Sequence, residues 1–527
     1  MSFRPAPLLT TQYELAVWCE RQRRQGPLHF VPTMGALHHG HRRLIERAGL
    51  GPTAASAPQV VVSVFVNPLQ FAPGEDFERY PASLSLDAAL AAAAGAALLF
   101  APSVAELYPS GVEELFQLQV PKALQAVLCG RSRPGHFNGV ATVVARLLGL
   151  VRPDRLLLGE KDWQQLVILR HLVSELGLPV AVQGCATVRD SDGLATSSRN
   201  SYLQAEQRAL ALALPRTLAA MRQQFQAGDA ALATNKLVGE TRQRLESAGL
   251  MVDYVELVQA ATLLPLAAPR GVSLLAAAVF CGPARLIDHT VLMARAPIVA
   301  IDGPAGAGKS TVTRAFARRL GLIYLDTGAM YRAVTWWVLS QAADPAAAET
   351  VAPLLENLDL RLSHGPEGEQ LVSINGHEVS SAIRSPEVTA QVSVVAAHGC
   401  VRQALTRQQQ AMGDRGGLVA EGRDIGTAVF PAADLKVFLT ATVAERARRR
   451  ALDLERQGFA VPPLYELEAQ IAERDHRDAS REVSPLLMAD DAVELVSDGL
   501  GIDAVIQALV DLFRERVPEE AWPDPAT

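Results

Sequence analysis

Gly303-Pro304-Ala305-Gly306-Ala307-Gly308-Lys309-Ser310-Thr311 decides the fold of the second half of this chain. The apolar run Ile298-Val299-Ala300-Ile301 precedes it, and a helix-like segment, Val312–Leu320, follows. Strand, glycine-rich turn and helix start come in the order a phosphate-binding P-loop needs. Glycines let the turn close around a phosphate, and N–H groups at the helix N-terminus point at the anion. Lys309 is expected to reach the β- and γ-phosphates, and Ser310 to ligate Mg2+ bound with them. An ATPase, a GTPase switch or a small-molecule kinase would all carry this loop, so the motif leaves the acceptor open. It also begins late enough in the chain for another complete protein to precede it.

The chain has 527 residues, room for roughly three to five domains of ~100–200 residues. Its net charge of −7 argues against a nucleic-acid binder or a polybasic membrane module, so basic residues should act in local pockets. Cys19, Cys129, Cys185, Cys281 and Cys400 are scattered without a CxxC pair, which fits reduced thiols in the cytoplasm. The opening MSFRPAPLLTTQYEL lacks the apolar core of a secretory signal. The Ala-rich run from Asp87 to Phe100 is too short to span a bilayer and reads as a buried helix entering a strand.

Strand-like and helix-like runs alternate through the first 190 or so residues, the pattern of a doubly wound parallel α/β sheet. Candidate strands are Leu28–Pro32, Val60–Val66, Ala97–Phe100, Arg155–Leu158 and Val180–Val182; His41–Ala48 and Gly139–Leu150 read as helices. Ala205–Ala248 reads as helical, and Val255–Gln259 and Val272–Phe280 as strands of a smaller mixed domain. Pro283–Pro297 shows no long periodic element, and the seam is placed near 292. Beyond the P-loop, Leu358–Leu362, Leu371–Asn375 and His377–Ser380 alternate like short antiparallel strands, with a turn at Gly365-Pro366-Glu367-Gly368. The tail Pro518–Thr527 is rich in Pro, Glu and Asp and is expected to fray.

In the first half, Pro32-Thr33-Met34-Gly35-Ala36-Leu37-His38-His39-Gly40-His41 follows a strand and opens a helix. His38 and His41 at a helix N-terminus could grip triphosphate oxygens and stabilise charge as diphosphate leaves. They could also be plain capping histidines. A zinc site is a further alternative, but the flanks supply no acidic or cysteine ligand, and His38 and His39 should diverge on a helix. Three more segments follow strands or form polar loops: Ser63–Phe71, Gly159-Glu160-Lys161-Asp162-Trp163-Gln164-Gln165, and Asp192–Asn200 with its Ser197-Ser198-Arg199.

With Leu128–Val140, which contains Arg133-Pro134-Gly135-His136-Phe137, these segments make residues 1–292 resemble the pantothenate synthetase (pantoate–beta-alanine ligase) family. The HxGH element and the Ser-Ser-Arg loop also resemble the two ATP signatures of class I adenylating enzymes. The resemblance implies a Rossmann-like nucleotidyltransferase fold over 1–185 and a small α+β domain over 186–292. It implies ATP-dependent joining of pantoate and beta-alanine through pantoyl adenylate. Carried over by motif, His41 would be the proton donor, and His38 and Lys161 would hold phosphate charge. Met34, Gly35, Ala36, Leu37, His38, His39, Gly40 and His41 would line the ATP site. Gly159, Glu160, Lys161, Asp162, Val188 (through its backbone), Thr196, Ser197, Ser198 and Arg199 would complete it. Gln70 and Gln165 would bind pantoate, with Gln70 near beta-alanine. Thr196 departs from the Met or other apolar residue usual in the family. Ligase relatives imply a homodimer through this half.

In the second half, Tyr324-Leu325-Asp326-Thr327-Gly328-Ala329-Met330-Tyr331-Arg332 follows the first helix, and Ser393 and Arg402 bracket a helical stretch. Glu421-Gly422-Arg423-Asp424-Ile425-Gly426 follows the strand Gly417–Ala420. Glu473–Arg481 is a charged, helix-like run with Arg474, Asp478 and Arg481 on one side, either a solvated face or a lid over phosphates. In order, these segments make residues 293–527 resemble bacterial cytidylate kinase, a P-loop nucleoside monophosphate kinase fold whose inserted sheet fits the nucleotide-binding domain. The resemblance implies phosphoryl transfer from ATP to CMP or dCMP. Ser393, Arg402 and Asp424 would read the cytosine edge. Thr327, Arg332, Arg423, Arg474 and Arg481 would surround the CMP sugar and phosphate, and Asp478 would contact the sugar hydroxyl.

Mg2+ with ATP is the expected cofactor, without an organic prosthetic group. Small molecules are the expected partners, and neither nucleic acid nor membrane is. Two rival readings are a cytidylyltransferase-like first half, and a half that only senses nucleotide or acts as a scaffold.

Overall fold

The computed structural model describes residues 6–50, 57–72, 77–80, 83–228, 234–364, 370–456, 458–481 and 483–525. The chain divides into two compact units. The first is Met1–Ala294 with Arg514–Pro523, and the second is Arg295–Phe513 with Asp524–Thr527.

In the first unit, strands β1 (Leu8–Leu9), β2 (Leu28–Thr33), β3 (Gln59–Val64), β4 (Leu98–Phe100), β5 (Arg155–Gly159) and β6 (Ala181–Cys185) pair in parallel in the order β1-β4-β3-β2-β5-β6. Val60, Val61 and Val62 are all buried, and such an unbroken apolar run is what a strand covered on both faces requires. Helices His39–Ala48 and Leu84–Ala93 pack Ile45, Ala48 and Ala91 against Val31, Val62 and Leu99. The strand order reverses between β2 and β5, which opens a crevice beyond their carboxyl ends.

The helix His136–Val151 approaches the turn Pro68–Gln70 closely. A Cβ on Gly139 would lie 2.2 Å from the Leu69 carbonyl oxygen. Asn67, fully buried, donates from Nδ2 to the Gly139 carbonyl at 3.0 Å and accepts from the Tyr108 hydroxyl at 3.0 Å. This clamp fixes Gln70 at the edge of the crevice.

Helices Ala205–Ala211, Ala213–Gln226 and Thr234–Ser247 then cover an antiparallel sheet, β7 (Met251–Gln259), β8 (Ser273–Cys281) and β9 (Ala284–Leu292). β9 corrects the expectation that Pro283–Pro297 holds no long element. Its alternation is hidden by Arg285, Asp288 and His289. Arg285 pairs with Asp253 at 2.7 Å and Asp288 with Arg189 at 2.7 Å, both from distant segments.

In the second unit, β10 (Ile298–Asp302), β11 (Ile323–Asp326), β15 (Leu418–Gly422), β16 (Leu435–Thr440) and β17 (Val493–Val496) form a parallel sheet, order β11-β15-β10-β16-β17. Between them in sequence, β12 (Leu360–His364), β13 (Gln370–Ile374) and β14 (His377–Glu378) form the inserted antiparallel sheet. The expected turn at Gly365–Gly368 lies outside the described residues. Helices Thr327–Ser340, Pro386–Val395 and Gly399–Gly413 share one core with β10, β12, β13 and β15 through Met330, Val334, Val372, Val395, Leu405 and Ala420.

The described part of the acidic tail is ordered, against expectation. The Glu519 and Glu520 N–H groups donate to Glu160 at 2.8 and 3.1 Å, and Arg514 donates to the Trp522 carbonyl at 2.6 Å. Composition suggested fraying, but these carboxylates have fixed partners. Among the described residues, no helix is long and apolar enough to cross a membrane.

Gly139→Ala should destabilise the first unit by about 2 kcal/mol, the scale of an overpacked core contact. Denaturant unfolding measures it. An unchanged midpoint would show that the helix yields freely, contrary to the clamp described.

Candidate active sites

The first unit holds a cleft of ≈ 300 Å³ at the carboxyl ends of β2, β5 and β6. Thr33 starts it by bonding the Ser63 carbonyl at 2.7 Å and accepting from Gly35 N–H at 3.2 Å. Gly35 and Ala36 take positive φ values of 91° and 50°. This turn delivers the Ala36 and Leu37 N–H groups to the two oxygens of buried Asp87, at 3.1 and 2.7 Å. These donors therefore serve an internal carboxylate. Gly35, Ala36, Leu37 and His39 do not line the cleft, whereas Met34, His38, Gly40 and His41 do.

His38 is the N-cap of the helix His39–Ala48, so the capping alternative and the cleft position hold together. Its Nδ1 accepts from Gly40 N–H at 3.1 Å, and His41 Nδ1 accepts from His38 N–H at 3.3 Å. The rings lie 4.1 Å apart. Burial, followed by the Lys161 ammonium, pushes His38 down to about 4. Burial, then His38 and Lys161, holds His41 well below the usual histidine value. Both rings are thus neutral near pH 7. With each Nδ1 accepting, the proton sits on Nε2 of each ring, a hydrogen-bond donor.

Gly159, Lys161, Asp162 and Gln165 line the cleft, but Glu160 turns away to receive the Glu519 and Glu520 N–H groups. Gln164 is committed to the 124–130 segment through Leu124, Val127 and Gly130. Gln70 lines the cleft, and its carbonyl accepts from His136 Nδ1 at 2.8 Å and from Arg133 at 3.2 Å. Val188, Thr196, Ser197, Ser198 and Arg199 form another wall. Thr196 N–H donates to the Val188 carbonyl at 2.9 Å. The Thr196 hydroxyl bonds Asp190 at 2.7 Å, and Asp190 also takes Asn200 and Arg208. Burial opposes the Asp190 charge, but these bonds outweigh it and hold the carboxyl below its usual value. The unusual Thr196 therefore pins its loop.

The second unit holds a cleft of ≈ 380 Å³ around the P-loop. Gly303 has φ 147°, and a Cβ there would meet the Leu439 carbonyl oxygen at 2.0 Å, so β10 can enter the turn only through glycine. Lys309 starts the helix Lys309–Leu320, and its Nζ donates to the Gly303 and Pro304 carbonyls at 2.7 and 2.8 Å. Burial and nearby Arg423 push it well below the usual lysine range. Ser310 Oγ donates to buried Glu421 at 2.5 Å. Ala305, Gly306, Gly308, Lys309, Ser310 and Thr311 line the cleft; Gly303, Pro304 and Ala307 lie behind it.

Thr327, Arg332, Ser393, Arg402, Arg423, Asp424, Arg474, Asp478 and Arg481 all line this cleft. Ser393 and Arg402 do not bracket one helix; they lie on Pro386–Val395 and Gly399–Gly413, on either side of the break at Ala396–His398. That break lets Arg402 donate to the Ala396 carbonyl at 3.0 Å and pair with buried Asp424 at 2.6 Å. Arg423 bonds Asp478 at 3.1 Å, and Thr327 donates to the Glu421 carbonyl at 2.7 Å. Asp478 and Arg474 come from the helix Leu464–Ala479.

Several partners were given no role in the sequence reading. Asp302 ends β10 and accepts from Ile425 and Gly426 N–H at 2.8 and 2.7 Å; burial raises it to about 6. Arg446 joins Asp475 at 2.5 Å and donates to the P-loop carbonyl of Ala305 at 3.1 Å. Asp87, Asn67, Arg133 and His136 are their counterparts in the first unit. A polar residue at the end of an apolar run was the available clue for Asp302. For Asp87, inside an Ala-rich helix, there was none.

Two family models match the chain: pantoate-beta-alanine ligase over residues 7–291 and cytidylate kinase over residues 299–515. A bifunctional pantoate ligase/cytidylate kinase of Prochlorococcus marinus (strain MIT 9313) is 64% identical over 504 residues, 95% of this chain and 98% of its own length. That of Parasynechococcus marenigrum (strain WH8102) is 64% identical over 519 residues, 98% of this chain and 100% of its own. Among solved structures, pantothenate synthetase from Thermus thermophilus covers 54% of this chain and 98% of its own at 46% identity, with TM-score 0.49.

The His38 ring should titrate near 4, which imidazole NMR of the intact chain can follow. Because that lies below its usual 6.5, the neutral ring's contribution to stability is complete above pH 6.5 and is lost as pH falls towards 4. A midpoint at or above 6.5 would contradict the buried, Lys161-facing position.

Proposed function

The chain belongs to the bifunctional pantoate ligase/cytidylate kinase family, and from that premise we propose how its two clefts divide the chemistry. In the first, a pantoate carboxylate oxygen attacks the α-phosphorus of ATP. The bond to the β-phosphate oxygen breaks, and diphosphate leaves. The beta-alanine amine then attacks the acyl carbon of pantoyl adenylate. AMP departs with the acyl-oxygen electron pair, the amine loses a proton, and pantothenate remains.

What supports this reading most is the close-set, neutral pair His38–His41 beside Lys161 in a cleft that also gathers Gln70, Gln165 and Ser197–Arg199. Their Nε2–H groups would bond triphosphate oxygens without the cost of two adjacent imidazolium charges. Arriving phosphate would raise both pKa values, making His41 a competent proton donor as diphosphate departs. Lys161 would meet phosphate charge, and Val188 with Thr196–Arg199 would hold the nucleotide. Gln70 and Gln165 would bond pantoate.

In the second cleft, a CMP phosphate oxygen attacks the γ-phosphorus of ATP and ADP leaves. Lys309 would exchange the Gly303 and Pro304 carbonyls for β- and γ-phosphate oxygens. Arg332, Arg423, Arg474 and Arg481 would neutralise phosphate charge, which with alignment is most of what this transfer requires. Asp424 would accept from the cytosine amino group while Arg402 donates to its ring acceptors. The Ser310 hydroxyl and Glu421 carboxylate are hard oxygen donors side by side and fit Mg2+. Bound with ATP, Mg2+ would supply neutralisation across the β- and γ-phosphates. We further propose a cytoplasmic enzyme, with a homodimer through the ligase.

The test is a product assay on the intact chain with two substrate sets: ATP, Mg2+, pantoate and beta-alanine, or ATP, Mg2+ and CMP. Pantothenate with AMP, and CDP with ADP, are expected. His41→Ala should lower ligase kcat about 10²–10³-fold, the scale of one transition-state donor, and leave CMP phosphorylation intact. Lys309→Ala should do the reverse. CMP and diphosphate formed from CTP would instead favour a cytidylyltransferase, and ATP binding without turnover a sensing module.

A further inference from the structure

We propose that Glu519 and Glu520 are positioning residues for the ligase nucleotide site, so that this site is completed by a segment encoded after the kinase. The proposal rests on the ligase reading above. β6 ends at Cys185, and Ala186, Thr187 and Val188 pass directly along the cleft. A strand that stops at a ligand crevice leaves its next N–H groups without ladder partners, and half-buried ones such as those of Ala186 and Thr187 need acceptors elsewhere. Here the tail satisfies them. Ala186 N–H donates to Glu519 Oε2 at 3.2 Å and Thr187 N–H to Glu520 Oε1 at 2.8 Å.

The bonding is reciprocal. The Glu519 and Glu520 N–H groups donate to the two oxygens of Glu160 at 2.8 and 3.1 Å. Glu160 stands at the carboxyl end of β5, next to Lys161, and is 1% exposed. The tail therefore ties the ends of β5 and β6 to each other. Those two ends carry Gly159, Lys161, Asp162 and Val188, which line the cleft and are expected around ATP. Further anchors hold the tail. Arg170 donates to the Arg514 carbonyl at 3.0 Å, and Arg514 donates to the Trp522 carbonyl at 2.6 Å. Three carboxylates, Glu160, Glu519 and Glu520, meet in one place. Burial and Glu520 push Glu160 up to about 7. Such crowding costs free energy, and the backbone donors from both sides offset it.

Without the two carboxylates, Ala186 and Thr187 lose their acceptors, and the wall bearing Val188 keeps only its ties to Thr196 and, through Arg189, to Asp288. His38, His41 and Lys161 are untouched, so nucleotide binding should suffer more than chemistry. The experiment is the Glu519→Ala/Glu520→Ala double variant of the intact chain, with both activities measured on one preparation. KM for ATP in pantothenate synthesis should rise about tenfold, the effect of losing about one charge-assisted bond, with ligase kcat little changed. Both kinase parameters should match the wild type, showing that the chain has folded. Glu519→Gln/Glu520→Gln keeps carbonyl acceptors for the same N–H groups and should restore most of the affinity. An unchanged ligase KM overturns the proposal. So does a parallel loss of both activities, which would make the tail a general stabiliser, or failure of the Gln pair to recover binding. If the wild type itself makes no pantothenate, the ligase reading falls; an active wild type with an unaffected Ala pair sinks the positioning role alone.

Discussion

A cation or N–H group taken out of water needs a partner whether or not a ligand is bound. Much of the polar structure in both units follows from that constraint. Lys309 rests on two carbonyls of its own loop, Arg402 on Asp424 and Arg423 on Asp478. In the first unit the Ala36 and Leu37 N–H groups are given to Asp87, and those of Ala186 and Thr187 to Glu519 and Glu520. These stand-in acceptors keep the sites shaped while they wait. Where the acceptors are neutral carbonyls, as for the lysine, an anion would replace them with a gain. Where it is a buried carboxylate with two donors, the arrangement is scaffold.

The two clefts differ in the polar groups they gather. The cleft around the P-loop concentrates guanidinium groups, and Arg332, Arg402, Arg423 and Arg481 are each restrained by a carboxylate or carbonyl. The cleft of the first unit sets two neutral imidazoles beside Lys161 and Arg199. The difference follows from packing: rings 4.1 Å apart near Lys161 cannot both carry charge at moderate cost. A neutral ring whose Nδ1 accepts a backbone N–H still offers one oriented donor at Nε2. The capping geometry of His38 and its cleft position are therefore one device.

The sheet strands were legible because parallel strands buried on both faces are unbroken apolar runs, as in Val60–Val62. The P-loop and both histidine positions were legible because glycine geometry and helix N-termini are local. β9 was not, because Arg285, Asp288 and His289 look like loop residues until Asp253 and Arg189 are placed beside them. The break between Ser393 and Arg402 was missed because Ala396-Ala397-His398 has no Gly or Pro to announce it. Asp87 was hidden among alanines. The tail was misread because Pro, Glu and Asp suggest solvent, and only Glu160 and the 186–187 backbone show otherwise.

By itself, the sequence determined the α/β class of each half, several of its buried strands and the place of the motifs read for phosphate chemistry. Those properties depend on periodicity and on short spacings, which the chain carries locally. Tertiary structure alone decided which side chain faces a cleft and which is held behind it. Glu160 and Lys161 are neighbours in sequence, yet one receives the tail and the other lines the cleft. That choice depends on donors hundreds of residues away, because a carboxylate's direction is set by whichever N–H groups reach it in the folded chain.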